Sequence, residues 1–299
     1  GVYYGDRKEV GRYNTIATWQ SLNVLEKKAK NEHSTEFKEF CDGINTVIID
    51  EVHMAKADVL KRLLTGPFAH CGIRWGLTGT VPKADYEFMG LKCSIGDVTN
   101  RIQASELQDK GVLANCHVNV LQTQDHPQFK TYAEELKWLT TDAVRMKWIA
   151  NTIKDISTSG NTLILVDRIS AGEILEKQLP GSVFVSGSTK NVDRKEQYDE
   201  VSTATNKVII ATYGVASVGI NIPRIFNLVL IEPGKSFVRV IQSIGRGIRK
   251  AEDKENVQIW DITSSCKFAK RHLGARKKFY KEANYPYNIE KVNYENPYT

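Results

Sequence analysis

No apolar run in these 299 residues approaches the roughly 20 that a membrane-spanning helix needs, and no membrane partner is expected. The opening stretch, GVYYGDRKEVGRYN, is polar and lacks the apolar core of a secretion signal. It also lacks an initiator Met, so the chain is expected to begin inside a longer protein. Cysteine is scarce. Cys41, Cys71, Cys93, Cys116 and Cys266 include no C-x-x-C pair, and no His cluster accompanies them. That pattern argues against a metal site and for reduced, mostly buried thiols in a cytoplasmic protein. There is no short-period repeat and no low-complexity segment, and neither half combines low hydrophobicity with a charge block. A complete phosphate-cradling loop, G-x-x-x-x-G-K-S/T, is missing as well. Gly234-Lys235-Ser236 imitates its tail, but the position five residues before Gly234 holds Val229, and Pro233 sits inside the would-be loop. The string reads as a strand–helix turn.

What is present fits an ordinary globular enzyme. Hydrophobic residues make up 41% and charged residues 25%, and the length suits two domains with separate cores. A net charge of +6 is compatible with a polyanion partner without demanding one. Short β-branched runs read as strands buried on both faces: Asn14–Thr18, Thr46–Asp50, Arg74–Leu77 and His117–Leu121, then Thr162–Asp167, Val183–Val185, Lys207–Thr212, Leu228–Glu232 and Val257–Ile262. Helical periodicity lies between them, in Ala171–Leu179, Phe237–Ile248 and the long stretch Phe129–Ile156. Such alternation predicts an α/β fold with parallel sheets. A boundary fits best at Asp125–Pro127, giving domains 1–125 and 126–299.

Four strings carry chemistry. In VIIDEVH, an apolar strand ends in Asp50, Glu51, Val52 and His53. Carboxylates at the carboxyl end of a parallel strand sit where open α/β sheets bind ligands. Asp50 suits Mg²⁺, and Glu51 suits the water that attacks a triphosphate. Asp-Glu alone reads equally well as a helix N-terminus, where acids suit the dipole, but the added His makes the string rarer. LTGT, Leu77–Thr80, follows the next strand; alone it is a turn, and its place after Asp50 gives it weight. In ATYGVASVGINIP, Thr212 ends a strand, and its hydroxyl suits nucleic-acid phosphates, while Asn221 suits a ribose hydroxyl. In QSIGRGIRK, Gln242, Arg246 and Arg249 share one helix face, and paired guanidiniums suit the charge of a transferring phosphate. A solvated basic face is the plainer reading of R-x-x-R by itself.

In this order and spacing, D-E-V-H, T-G-T, A-T…G-I-N-I-P and Q-S-I-G-R-G-I-R resemble motifs II, III, V and VI of the superfamily-two helicases. Ile16–Leu22 resembles the motif Ib region, and the stretch from Asp167 resembles the motif IV region. The resemblance implies two RecA-like domains with ATP, Mg²⁺ and DNA bound across a cleft. It implies catalytic roles for Glu51, Arg246 and Arg249, with Asp50 holding Mg²⁺. Nucleotide contacts would come from Asp50, His53, Gly219, Asn221 and Gln242, and DNA-backbone contacts from Thr18 and Thr212. Thr78, Gly79 and Thr80 would couple the two events. The implied substrates are single-stranded and branched DNA in recombination, repair or replication, with other recombination or replication proteins as possible partners. The implied location is the cytoplasm, the host's if a phage encodes the protein. The family's phosphate loop lies upstream of motif Ib, so the first domain is expected to be truncated at its N-terminus and the isolated chain inactive. Asn221 stands where an Asp is common. An RNA helicase and a nucleic-acid-binding module without ATPase activity are the alternatives.

Near the C-terminus, Lys267, Lys270, Arg271, Arg276, Lys277, Lys278 and Lys281 run without an acidic interruption, and Tyr280, Tyr285 and Tyr287 overlap or follow. Two readings stand: a solvated helix with Phe268, Leu273 and Phe279 packed inward, or a DNA-phosphate contact with aromatics stacking on unpaired bases.

Overall fold

The computed structural model describes residues 1–53, 58–79, 81, 85–187, 204–219, 224–235 and 256–294. The chain divides into two compact units, Gly1–Arg101 and Ile102–Thr299.

In the first unit, β1 (Val2–Tyr4) pairs antiparallel with β2 (Arg7–Lys8) and parallel with β3 (Ile16–Ala17). Helices α1 (Trp19–Asn31) and α2 (Glu36–Cys41) follow. Strand β4 (Thr46–Ile49) pairs parallel with β5 (Ile73–Gly76), with α3 (Asp58–Thr65) between them and α4 (Asp85–Ser94) after. The alternation of β4 turns Val47 and Ile49 toward Val52, Leu60, Leu64 and Leu91, which packs α3 and α4 on one face of this sheet. The opposite face presents Ile48 and Trp75, 57% and 62% exposed. A short ion pair between Arg62 of α3 and the buried Glu26 of α1 joins the two helices at 2.5 Å.

The second unit adds α5 (Ala104–Asp109), β6 (Asn115–Thr123), α6 (Tyr132–Leu139), α7 (Ala143–Ser157), β7 (Thr162–Val166), α8 (Ile169–Gln178) and β8 (Val183–Val185). It continues with β9 (Val208–Thr212), α9 (Tyr213–Gly219), β10 (Asn227–Ile231), β11 (Asn256–Ser264), α10 (Lys267–Glu282) and β12 (Tyr287–Val292). Seven strands form one parallel sheet in the order β12-β6-β11-β10-β7-β9-β8. The period-2 pattern supplies both faces. Leu163 and Leu165 of β7 join Val215 of α9 and Leu273 of α10, while Ile164 and Val166 join Ile149 and Ile153 of α7 and Leu175 of α8. A Cβ at Gly172 would meet the Phe184 ring at 2.3 Å, so glycine permits α8 to lie this close to β8.

The α/β class with parallel sheets is as expected; several boundaries differ. The border falls at 101/102, not 125/126, because β6 pairs with β11 and β12 and so belongs to the second unit's sheet. The single helix expected over Phe129–Ile156 is two. Thr140 turns its hydroxyl onto the Leu136 carbonyl at 2.7 Å, and Asp142 caps a new helix by accepting from Arg145 N–H at 2.9 Å. Strand Asn14–Thr18 shrinks to Ile16–Ala17, and the edge strand β12 was not expected. The helix expected over Phe237–Ile248 lies outside the described residues.

Candidate nucleotide and nucleic-acid sites

Strand β4 delivers Asp50, Glu51, Val52 and His53 at its carboxyl end. The backbone turns sharply there, with Glu51 at φ +50°, a left-handed conformation that costs a non-glycine residue about 1 kcal/mol or more. Two backbone bonds hold the turn against β5: Leu77 N–H to Ile49 O at 2.8 Å and Val52 N–H to Leu77 O at 2.9 Å. The close approach needs Gly76, where a Cβ would strike Val52 at 2.9 Å. Asp50 is exposed and accepts from Glu51 N–H at 2.9 Å.

His53 is the joint of this site. Its Nδ1 lies 2.9 Å from the Thr78 hydroxyl and 3.2 Å from the Glu51 carboxylate. The imidazole is mostly buried and Glu51 is half exposed. One ring therefore ties the carboxylate after β4 to the T-G-T string after β5. Gly79 is exposed beside it, and Thr80 lies outside the described residues.

The DNA-backbone candidates both sit at helix starts. The exposed Thr18 caps α1 by accepting from Ser21 N–H at 3.3 Å. Thr212 ends β9 and accepts from Val215 N–H at 3.4 Å. A hydroxyl at a helix N-terminus stands where backbone N–H groups also point outward, a setting that suits phosphate. Gly219 ends α9; Asn221, Gln242, Arg246 and Arg249 lie outside the described residues. Gly234 and Lys235 form a turn after β10, with Gly234 at φ +71°, and Ser236 lies outside the described residues.

Two buried arginine clusters at the carboxyl ends of β6, β10 and β11 were not anticipated. Arg145 of α7 is fully buried and donates to Glu232 at 2.7 Å, to the Thr123 hydroxyl at 3.3 Å and to the Leu139 carbonyl. It also lies 3.5 Å from Asp125, which accepts from the Thr123 and Tyr294 hydroxyls at 2.6 Å each. Glu232, at φ +43°, accepts from the Thr263 hydroxyl at 3.3 Å. In the second cluster, Arg276 grips Asp261 with two bonds of 2.8 and 2.9 Å and donates to the Gly234 carbonyl at 2.7 Å. The Tyr280 hydroxyl donates to the same Asp261 at 2.7 Å. This corrects the reading of Arg276 as a phosphate contact and of Tyr280 and Tyr285 as stacking platforms, since all three are buried. A signal was available. Arg276 lies three residues after Leu273 and four before Tyr280, and Arg145 lies four before Ile149, so both arginines share the apolar face of their helix.

Burial pushes the Glu232 carboxyl up to about 7, against the pull of Arg145 and Arg276 and with the repulsion of Asp261 and Asp125. A raised acid pKa means that the folded state holds a proton the unfolded chain has released. The stability from this group is therefore fully present below about pH 4.5 and is lost as pH rises through about 7. Glu232→Gln is expected to flatten that decline in melting temperature between about pH 5 and 7.5. An unchanged slope would count against it.

Residues 145–251 match the helicase conserved C-terminal domain. With the ordered motifs and the parallel-sheet fold, that match makes the chain similar to the superfamily-two helicases. It is similar to the ATP-dependent DNA helicase uvsW of Enterobacteria phage T4, at 26% identity over 275 residues, covering 88% of this chain and 52% of that protein. The crystal structure of T4 UvsW superposes with a TM-score of 0.53 at 21% identity, over 94% of this chain and 58% of that one. Putative helicase 22 of a Sulfolobus islandicus filamentous virus is 28% identical over 260 residues, covering 79% of this chain and 45% of that protein. A putative HsdR subunit of a type I restriction enzyme from Vibrio vulnificus shares the fold at a TM-score of 0.72 and 16% identity, over 99% of this chain and 55% of that one. The chain thus spans about half the length of uvsW and of putative helicase 22.

Proposed function

We propose that the chain supplies the greater part of an ATP-driven motor that moves on DNA. The observation that carries this reading is the His53 bridge, which links the Glu51 carboxylate to Thr78 at the carboxyl ends of two parallel strands. In this reading Asp50 would hold Mg²⁺, which would supply positive charge against the charge developing on the phosphates. Glu51 accepts a proton from the attacking water. His53 passes any change at Glu51 to Thr78, Gly79 and Thr80. Gly219, Asn221 and Gln242 contact the nucleotide, and Thr18 and Thr212 hold the DNA backbone without reading its sequence. Likeness to a protein named as an ATP-dependent DNA helicase favours DNA as the track. The resemblance of the ordered motifs favours branched recombination, repair or replication intermediates as substrates and other proteins of those processes as partners.

In the same reading Arg246 and Arg249 stabilise charge on the transferring phosphate. Arg246→Ala and Arg249→Ala in the full-length gene product are each expected to slow hydrolysis by at least about 10²-fold while DNA still binds. An arginine whose loss instead weakens DNA binding and spares turnover belongs to the DNA track.

A second reading has one observation in its favour. The 299 residues hold no G-x-x-x-x-G-K-S/T string, so the isolated chain can bind nucleic acid without hydrolysing ATP. The purified 299-residue chain is expected to show no ATPase above background. DNA-stimulated turnover by it would refute this and return attention to Gly234-Lys235-Ser236.

A further inference from the structure

Helix α10 sorts its cations onto one side. At 3.6 residues per turn, Lys267, Lys270, Arg271, Lys277, Lys278 and Lys281 fall within roughly a third of the circumference. Five of the six are exposed and Lys277 is half-buried. Arg276, the seventh cation of the run, points the other way and is buried on Asp261. His272 adds no charge, since burial first, and then Arg276, push its pKa down to about 4. The 41 Lys and Arg of the chain exceed its 35 Asp and Glu by six, so outside this stripe the two signs balance.

The stripe is held rigid from beneath. The N–H groups of Phe268 and Ala269 donate to the buried Glu135 at 3.0 and 2.7 Å, and Arg276 and Tyr280 clamp the middle and end of the helix to β11. Lys267 and Arg271 rest over the Phe268 ring at 5.5 and 5.2 Å, which orders two of the six cations in advance. The ion pairs of Arg145 and Arg276 in this unit leave the cations of the stripe uninvolved.

We infer that this face of α10 is a docking surface for the phosphate backbone of duplex DNA. The inference rests on the motor reading, and it adds a contact apart from Thr18 and Thr212. A 16-residue helix is about 24 Å long, the rise of about seven base pairs of a duplex. Single-stranded nucleic acid favours aromatic platforms, and here Tyr280 and Tyr285 are buried and the half-buried Tyr287 packs against the core. A membrane surface favours a helix whose apolar side is free to enter lipid, and here that side carries Ala269, Leu273 and Tyr280 into the core. A protein partner would require apolar anchors that the stripe does not present.

The test is fluorescence anisotropy of the 299-residue chain with labelled duplex and single-stranded DNA over roughly 50 to 200 mM salt. The variant Lys270→Gln/Arg271→Gln/Lys278→Gln removes three exposed cations. The control Lys137→Gln/Lys147→Gln/Lys154→Gln removes three exposed lysines from α6 and α7. On duplex DNA the stripe variant is expected to lower the log–log salt slope by about 2 to 3, with the control unchanged and the single-strand slope less affected. Equal melting temperatures establish that the fold is intact. If the wild-type chain binds DNA and the stripe variant keeps its slope, or the control falls equally, the inference is overturned and the motor reading stands. If the wild-type chain binds anionic vesicles but neither form of DNA, both are overturned.

Discussion

Replacing Glu51 by Gln in the full-length gene product is expected to silence ATP hydrolysis while leaving ATP affinity within about tenfold. Gln keeps the shape of the side chain and the left-handed turn at φ +50°, and it loses only the capacity to take a proton. General bases contribute on the order of 10² to 10⁴-fold, enough to bring turnover to background. Asp50, the proposed Mg²⁺ ligand, is untouched, which is why ATP affinity is expected to persist. The exchange also alters the His53 contact, because the carboxylate 3.2 Å from Nδ1 is replaced by a neutral amide. Coupling to Thr78 should therefore loosen together with the chemistry. Near-normal steady-state turnover by Glu51→Gln would remove Glu51 from the reaction.

The second large effect is on stability. Arg276→Met is expected to destabilise the second unit by roughly 3 to 5 kcal/mol, the usual cost of breaking a buried pair and stranding its partner. Here the stranded group is Asp261, fully buried in β11, left with the Tyr280 hydroxyl as its remaining hydrogen-bond partner among those described. The Gly234 carbonyl loses its donor at the same time. Replacing both members, as Arg276→Met/Asp261→Leu, should recover much of the loss, since an apolar pair of similar volume carries no desolvation penalty. Denaturant unfolding followed by circular dichroism measures both. A loss under about 1 kcal/mol for the single variant would contradict the burial of this pair.

The contrast between Arg276 and its neighbours shows what was legible in the sequence. Strands buried on both faces are apolar throughout, and Thr162–Val166, Val183–Val185 and Val208–Thr212 stand out for that reason. Edge strand β12 needs no such pattern; Asn288 through Lys291 are exposed and read as loop. The register of β6 was equally hidden, because a strand's own residues do not say which sheet it joins, and its partners lie more than a hundred residues away. In the site, the D-E-V-H and T-G-T strings were visible as strings. The His53 bridge between them and the left-handed turn at Glu51 depend on the pairing of β4 with β5, which no local pattern encodes. The buried arginines were hidden by residue type. Helical periodicity puts Arg145 and Arg276 inward, but charge is ordinarily read as solvent-facing, and the buried carboxylates of Asp125, Glu232 and Asp261 from other parts of the chain explain the exception.

The most direct test of the motor reading is steady-state ATP hydrolysis by the full-length gene product with no nucleic acid, with single-stranded DNA and with RNA of the same sequence. DNA is expected to raise turnover well above the unstimulated rate, RNA to leave it near that rate, and Glu51→Gln to remain at background in all three. Turnover indifferent to DNA, or stimulated by RNA alone, would contradict the account.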